Sequence, residues 1–176
     1  TAASLAARRW TVEVIERRSD DAPPAMTRHQ GVLYAHPSAH PTALNELALA
    51  GLQYSARRLR AGLVPDPGNC GLCGVLQLAH DGHEAHRQAG VAALGLPRAL
   101  LHPVDRAQAC AIAGIDVPHA GLFFPAAGWV HPPALCAALL DHPAIRLRRA
   151  HAAVALTQTG AGWAVADARS VLATAP

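Results

Sequence analysis

From Gly121 to Leu140 the chain reads GLFFPAAGWVHPPALCAALL. The apolar run Leu122–Phe124 is stopped by Pro125, and the small residues Ala126, Ala127 and Gly128 hand over to Trp129 and Val130. Pro132 and Pro133 then precede a short helix pattern, Ala134–Leu140. Proline is tolerated in a first helical turn because its missing N–H would have no partner there. The stretch therefore reads as strand, tight turn, second short strand and helix start, which belongs to a mixed helix-and-sheet (α/β) fold. A Gly-Trp turn beside a helix N-terminus lets backbone approach a flat ligand closely. The plain alternative is a strand-to-helix connection with a packed Trp.

A chain of 176 residues with 51% hydrophobic content can bury a core, and with 4% aromatics that core is built of Ala, Leu and Val. No run reaches the length of a membrane span. The apolar start Ala2–Ala7 is followed, not preceded, by Arg8-Arg9, which is not a signal peptide. Four cysteines, Cys70, Cys73, Cys110 and Cys136, do not make a disulfide framework at this length, so a cytoplasmic protein is expected. All fifteen basic residues are arginine. The absence of lysine excludes a Schiff-base lysine, a phosphate-loop lysine and a lysine general base. The net charge of +3 permits an anionic partner without demanding one.

Ala2–Arg9 reads as the back half of a helix, and Thr11–Glu16 as a strand ending in an acid. Helix, strand, terminal Glu is the second half of a βαβ unit. In dinucleotide-binding folds such an acid binds ribose hydroxyls, about 20 residues after a glycine-rich turn. Counting back that far from Glu16 passes Thr1, so that turn is expected to be missing here. The alternative is an ordinary helix–strand pair ending in a solvated Glu. Asp20–His29 is a loop and Gly31–Ala35 a short strand. A helix runs from Pro41 to Arg60, with Leu44, Leu47, Ala48, Leu52 and Leu59 broadly on one face. Arg57, Arg58 and Arg60 crowd its last turn, where they complement the helix dipole; the other reading is an RNA-contacting patch. Further on, Gly74–Ala79 is a strand and a helix follows to Leu94. Asp105–Ala113 is a helix between an N-cap Asp and Gly114. Ile145–Arg149, Ala152–Thr159, Trp163–Asp167 and Val171–Thr174 are short strands.

Cys70-Gly71-Leu72-Cys73 is a C-x-x-C, and His80, His83 and His86 follow at three-residue steps. A Cys/His zinc site from Cys70, Cys73, His83 and His86 is one possible reading. Only residues 74–79 separate Cys73 from His80, where a zinc finger has about twelve. A thioredoxin-like pair wants a helix N-terminus, and this one precedes a strand.

Three stretches, VEVIER (12–17), CGVLQLAHD (73–81) and Gly121–Leu140, together resemble one family, and GVLYAHPSAHPTALNELALAGLQYSARRL (31–59) fits it. They look like the D-amino-acid-oxidase type of FAD-dependent amine oxidoreductase. Within it they look most like the oxidoreductase half of the bifunctional tRNA 5-methylaminomethyl-2-thiouridine biosynthesis (MnmC-type) proteins. The resemblance covers essentially the whole chain, in order.

The resemblance implies a partial FAD-binding domain, residues 1–35 and 141–176, and a partial substrate domain, 36–140, with an antiparallel or mixed sheet and helices. It implies FAD as cofactor and tRNA as substrate. The reaction it implies is oxidative removal of the carboxymethyl group from carboxymethylaminomethyl-(2-thio)uridine. A separate methyltransferase domain using S-adenosylmethionine is expected in the parent protein. Carried over residue by residue, Glu16 would hold the adenosine ribose, with Arg17, Gln30 and Gly31 on the cofactor side. Val154 would touch the adenine region through its backbone. Gly128 and Trp129 would lie by the substrate cavity. The family's Ala-Ser-Gly-Asn-x-x-Gly loop stands here as Ala25-Met26-Thr27-Arg28-His29-Gln30-Gly31, with Thr27 in place of a glycine. Without the glycine turn, the chain alone is expected to bind FAD poorly and to be inactive. The exposed edge of the Thr11–Glu16 strand is expected to favour self-association. A non-catalytic remnant or RNA-binding module is the remaining alternative.

Overall fold

Strand β6 (Gly121–Phe124) is covered on both faces, and one half of the fold is arranged around it. The computed structural model describes residues 1–19, 30–40, 42–151, 153 and 155–176. It separates into two compact units, Gln30–His131 and Thr1–His29 with Pro132–Pro176. Strand β2 (Gly31–Leu33) pairs with β7 (Gly128–Val130) inside the first of these units. Helix α5 (Pro132–Leu140) packs in the other unit, against α1 (Ala2–Ala6).

In Gln30–His131, β6 lies between β4 (Val75–Leu78) and β5 (His102–Val104), antiparallel to both. Successive side chains of a strand point to opposite faces. Leu122 and Phe124, which are fully buried, therefore enter one cluster with Leu49, Leu52, Val91, Leu100 and Leu101. Phe123 enters another with Val104, Ala109 and Val117, its ring edge-on to His102 at 5.8 Å. The ring also covers Gly74, where a Cβ would come within 2.4 Å of it, and Gly74 sits at φ +86. Only glycine meets both conditions easily. Strand β4 begins at Val75, and Cys73 lies exposed before it. Strand β5 contains Pro103, which a strand tolerates at a sheet edge, and β5 is an edge strand.

Helix α2 (Ala43–Arg60) starts at Thr42, whose hydroxyl accepts the Asn45 N–H at 3.2 Å. It buries Leu49, Leu52, Ala56 and Leu59. Leu44 and Leu47 are exposed, contrary to the expected apolar face. At roughly 100° per residue Leu47 lies about 140° round the helix from Leu52, outside the buried stripe. Helix α3 (Gly82–Ala93) is capped by Asp81, and α4 (Arg106–Ala113) by a full capping box between Asp105 and Gln108. Gly114 ends α4 in the left-handed conformation. A second sheet joins β2 and β7 to the two-residue strand β3 (Cys70–Gly71).

In the other unit, β1 (Val12–Ile15) runs parallel to β8 (Ile145–Arg148), with Val12 opposite Ile145. Arg148 binds Glu13 across that pair at 3.3 Å and also donates to the Leu172 carbonyl. Helix α1 is shorter than expected and stops before Arg8 and Arg9. Strands β9 (Ala155–Thr159), β10 (Gly162–Ala166) and β11 (Val171–Ala175) form an antiparallel meander. Among the described residues no helix is long and apolar enough to cross a membrane.

Candidate functional site

The sheet β2–β7–β3 brings together residues that lie far apart in sequence. Gly31 pairs with Val130, Val32 with Trp129 and Leu33 with Gly128. On the far side of β7, Cys70 pairs with Val130 and Gly71 with Trp129. Directly opposed residues share a face. Trp129 therefore stands between Val32, which is largely exposed, and Gly71, which leaves room for the indole. A Cβ on Gly71 would lie 2.6 Å from the indole nitrogen. The result is a half-open apolar wall with one ring set into it, able to take a planar group. Gly128 has a packing reason of its own. A Cβ there would come within 1.9 Å of the Gly71 carbonyl oxygen, so its smallness serves the approach of two strands.

Glu16 lies just past the carboxyl end of β1. Its N–H donates to the Arg148 carbonyl at 2.8 Å, and its own carbonyl accepts from the His151 N–H at 3.1 Å. These bonds extend the parallel pairing to the acid. Its Oε1 accepts the Arg18 N–H at 2.9 Å, which steadies the carboxylate in an exposed position. An acceptor held past the carboxyl end of a parallel strand has the chemistry to take ribose hydroxyls. Arg17 is exposed beside it, and Gln30 is exposed at the start of the other unit. Val154 and the segment 25–29, which includes Thr27, lie outside the described residues.

The Cys/His reading does not assemble. Cys70 is in β3, with its thiol directed at the Val64 carbonyl, and Cys73 is exposed after it. His83 and His86 are exposed on α3. Among the described residues no three His, Cys, Asp or Glu side chains converge to hold a metal. The C-x-x-C therefore spans the end of one strand and a loop, where a shared ligand geometry is not imposed.

Two arrangements escape a reading of the sequence alone. Arg87 on α3 donates to Glu84 and to the Pro37 carbonyl at 2.6 Å, and Gln88 donates to Glu84 at 2.9 Å. Gln77 of β4 adds a bond to the Ala35 carbonyl at 3.2 Å. This network ties the segment after β2 to α3 and β4, and so fixes the approach to the Trp129 sheet. The Arg87 guanidinium holds the Glu84 carboxyl down at about 2, against the opposing effect of burial. The second is a cavity of about 220 Å³ at the end of α2, lined by Gln53, Arg57 and Arg60. The i, i+3 spacing of Arg57 and Arg60 hints at a shared face, but the facing wall comes from distant sequence.

Compared with known proteins, residues 1–176 match the family described as FAD dependent oxidoreductase (DAO). The chain belongs to this FAD-dependent oxidoreductase family. It is 47% identical over 177 residues to the tRNA 5-methylaminomethyl-2-thiouridine biosynthesis bifunctional protein MnmC of Chromobacterium violaceum, covering 99% of this chain and 27% of that protein. It is 49% identical over 179 residues to the MnmC protein of Pseudomonas aeruginosa, covering all of this chain and 26% of the relative. The chain thus spans about a quarter of the length of these relatives. In fold it resembles the glycine oxidase of Geobacillus kaustophilus, with a TM-score of 0.68 and 17% identity over 98% of this chain and 49% of that one. The Bacillus cereus glycine oxidase gives a TM-score of 0.66 at 16% identity, over 97% of this chain and 49% of that one.

Proposed function

We propose that this chain forms part of an FAD-dependent oxidoreductase of tRNA, removing the carboxymethyl group from carboxymethylaminomethyl-(2-thio)uridine at the wobble position. One observation carries this reading: identity near one half along the whole chain to proteins named for tRNA 5-methylaminomethyl-2-thiouridine biosynthesis. When bound, FAD supplies a two-electron acceptor for the hydride on the carbon between amine and carboxylate. The amine proton leaves to solvent, and water then splits the resulting C=N bond. The products are aminomethyluridine and glyoxylate.

In this reading residues 1–35 and 141–176 belong to the FAD-binding part, and residues 36–140 to the substrate-binding part. Glu16 accepts from the adenosine ribose, with Arg17, Gln30, Gly31 and the Val154 backbone as further cofactor contacts. Gly128 and Trp129 wall the substrate cavity. A methyltransferase domain using S-adenosylmethionine would act on the product, in keeping with the bifunctional name of the relatives. A tRNA substrate implies a cytoplasmic enzyme.

The test is to incubate the purified flavoprotein that carries this chain with tRNA bearing carboxymethylaminomethyluridine, without oxygen. The flavin absorbance should bleach, and nucleoside mass spectrometry should show the carboxymethyl group gone. A protein that binds no flavin, or a flavoprotein whose spectrum ignores this tRNA, sinks the proposal.

A further inference from the structure

We propose that Gln53, Arg57 and Arg60 of α2, with the turn at 97–100 and Ala126, form a pocket for a phosphate of the RNA backbone. The inference rests on the reading of tRNA as substrate. Gln53, Arg57 and Arg60 follow one another at one-turn steps, so they share a face of the helix. Pro97, Ala99, Leu100 and Ala126 complete the lining of this open cavity, whose volume is about 220 Å³. Ala56 and Leu100 are both buried, so the lining combines apolar groups with the polar ends of Gln53, Arg57 and Arg60.

The chemistry of the opening is one-sided. Arginine offers up to five donors and no acceptor, and the lining contains no carboxylate. Arg87, Arg106 and Arg148 each have an acidic partner, Glu84, Asp116 and Glu13. Arg57 and Arg60 have none among the described residues. The carbonyl end of α2 offsets part of their repulsion, but a helix end carries only about half a charge. An anion with several acceptor oxygens completes the balance. The volume is below the roughly 300 Å³ at which pockets begin to take whole organic ligands, and it suits a single phosphate group.

Two neighbours favour RNA over a free phosphate. Tyr54, which follows Gln53 on α2, is about half exposed, and Arg58 lies 6.0 Å from its ring centre. Exposed aromatic rings interleaved with arginines are stacking platforms for unpaired bases. Ala126 also belongs to the β6–β7 turn, two residues before Gly128 and three before Trp129. A backbone held there would be tethered beside the turn that sets the Trp129 wall.

The experiment compares binding of a 5′-labelled tRNA transcript by fluorescence anisotropy across a salt series. The full chain is tested beside Arg57→Gln/Arg60→Gln and Arg8→Gln/Arg9→Gln, which removes the same charge elsewhere. The Arg57/Arg60 variant should bind at least about tenfold more weakly, with its salt slope shallower by about 2. The Arg8/Arg9 variant should stay within about twofold of the parent. Phenylglyoxal modification read by mass spectrometry gives a second measurement that needs no variant: tRNA should protect Arg57 and Arg60. Undiminished binding by the Arg57/Arg60 variant, an equal loss in both variants, no protection, or no tRNA binding by the full chain overturns the pocket. None of these outcomes bears on flavin bleaching, so the oxidoreductase reading stands or falls separately.

Discussion

Arg87 grips Glu84 with two nitrogens at once, Nε lying 2.8 Å from Oε2 while Nη2 meets Oε1. Such paired bonds are the strong form of ion pairing. The Arg87 bond is the largest cause of the depressed Glu84 pKa, about 2 against an ordinary glutamate value of 4.5. A depressed acid stabilises the fold fully above its unfolded pKa and loses that contribution as pH falls through its folded pKa. The loss should therefore run from about pH 4.5 down to about 2. The two side chains are only 14% exposed, so solvent screens the pair in part and leaves on the order of 1–3 kcal/mol. Urea midpoints measured across this window should fall for the parent chain and fall less for Glu84→Gln.

Two glycines should respond in opposite directions to alanine. At Gly128 the new Cβ would meet the Gly71 carbonyl oxygen at 1.9 Å, and backbone cannot yield cheaply. Gly128→Ala should cost about 2–4 kcal/mol, read as a lower urea midpoint. Gly51 lies within α2 with nothing within 4 Å of a Cβ. Gly51→Ala should stabilise by roughly 0.5–1 kcal/mol. A Gly128→Ala midpoint that does not fall would contradict the close approach of β7 and β3.

The capping box of α4 is complete, with Asp105 accepting the Gln108 N–H at 2.8 Å and Gln108 returning a bond at 3.0 Å. Asp105→Ala should cost about 0.5–2 kcal/mol. Thermal unfolding followed by circular dichroism measures it, and Asp105→Asn should recover most of the loss.

Glu16 is predicted to matter for cofactor affinity more than for folding, since its side chain is exposed. Removing one charge-assisted bond to a ribose hydroxyl is worth about 1.5–3 kcal/mol. In the holoenzyme Glu16→Ala should raise the FAD dissociation constant by roughly ten- to a hundredfold, with the unfolding midpoint of the apoprotein unchanged. Fluorescence titration of FAD into apoprotein is the measurement, and equal affinities would remove Glu16 from the cofactor site.

What could be read from the sequence was local. The prolines and small residues of Gly121–Leu140 marked β6, the turn, β7 and the start of α5, and Asp105 and Gly114 marked both ends of α4. Each signal acts within a few residues. Leu44 and Leu47 misled because hydrophobicity does not say which side of a helix has a neighbour. Strand β3 has two residues, too few for a period, and Pro103 disguised β5 although it is an edge strand. The Arg57–Arg60 cavity and the Arg87 network each need partners from segments joined only by folding. Among the candidate residues, Gly31, Gly128 and Trp129 meet in one sheet, while the Cys70 and Cys73 motif and His83 and His86 find no common centre.

The pairing of Gly31 with Val130 has a further consequence. It sets the two ends of the segment 30–131 side by side, so that segment can close on itself as a nested insertion. The Glu13–Arg148 bond spans 135 positions of chain, a long loop to close. If the nested segment folds first, about three-quarters of that loop is already collapsed to a short step. The saving is about two doublings of loop length, on the order of 1 kcal/mol of closure entropy. The connectivity thereby favours an order in which the nested segment closes before the parallel pair β1–β8 that leads to Glu16.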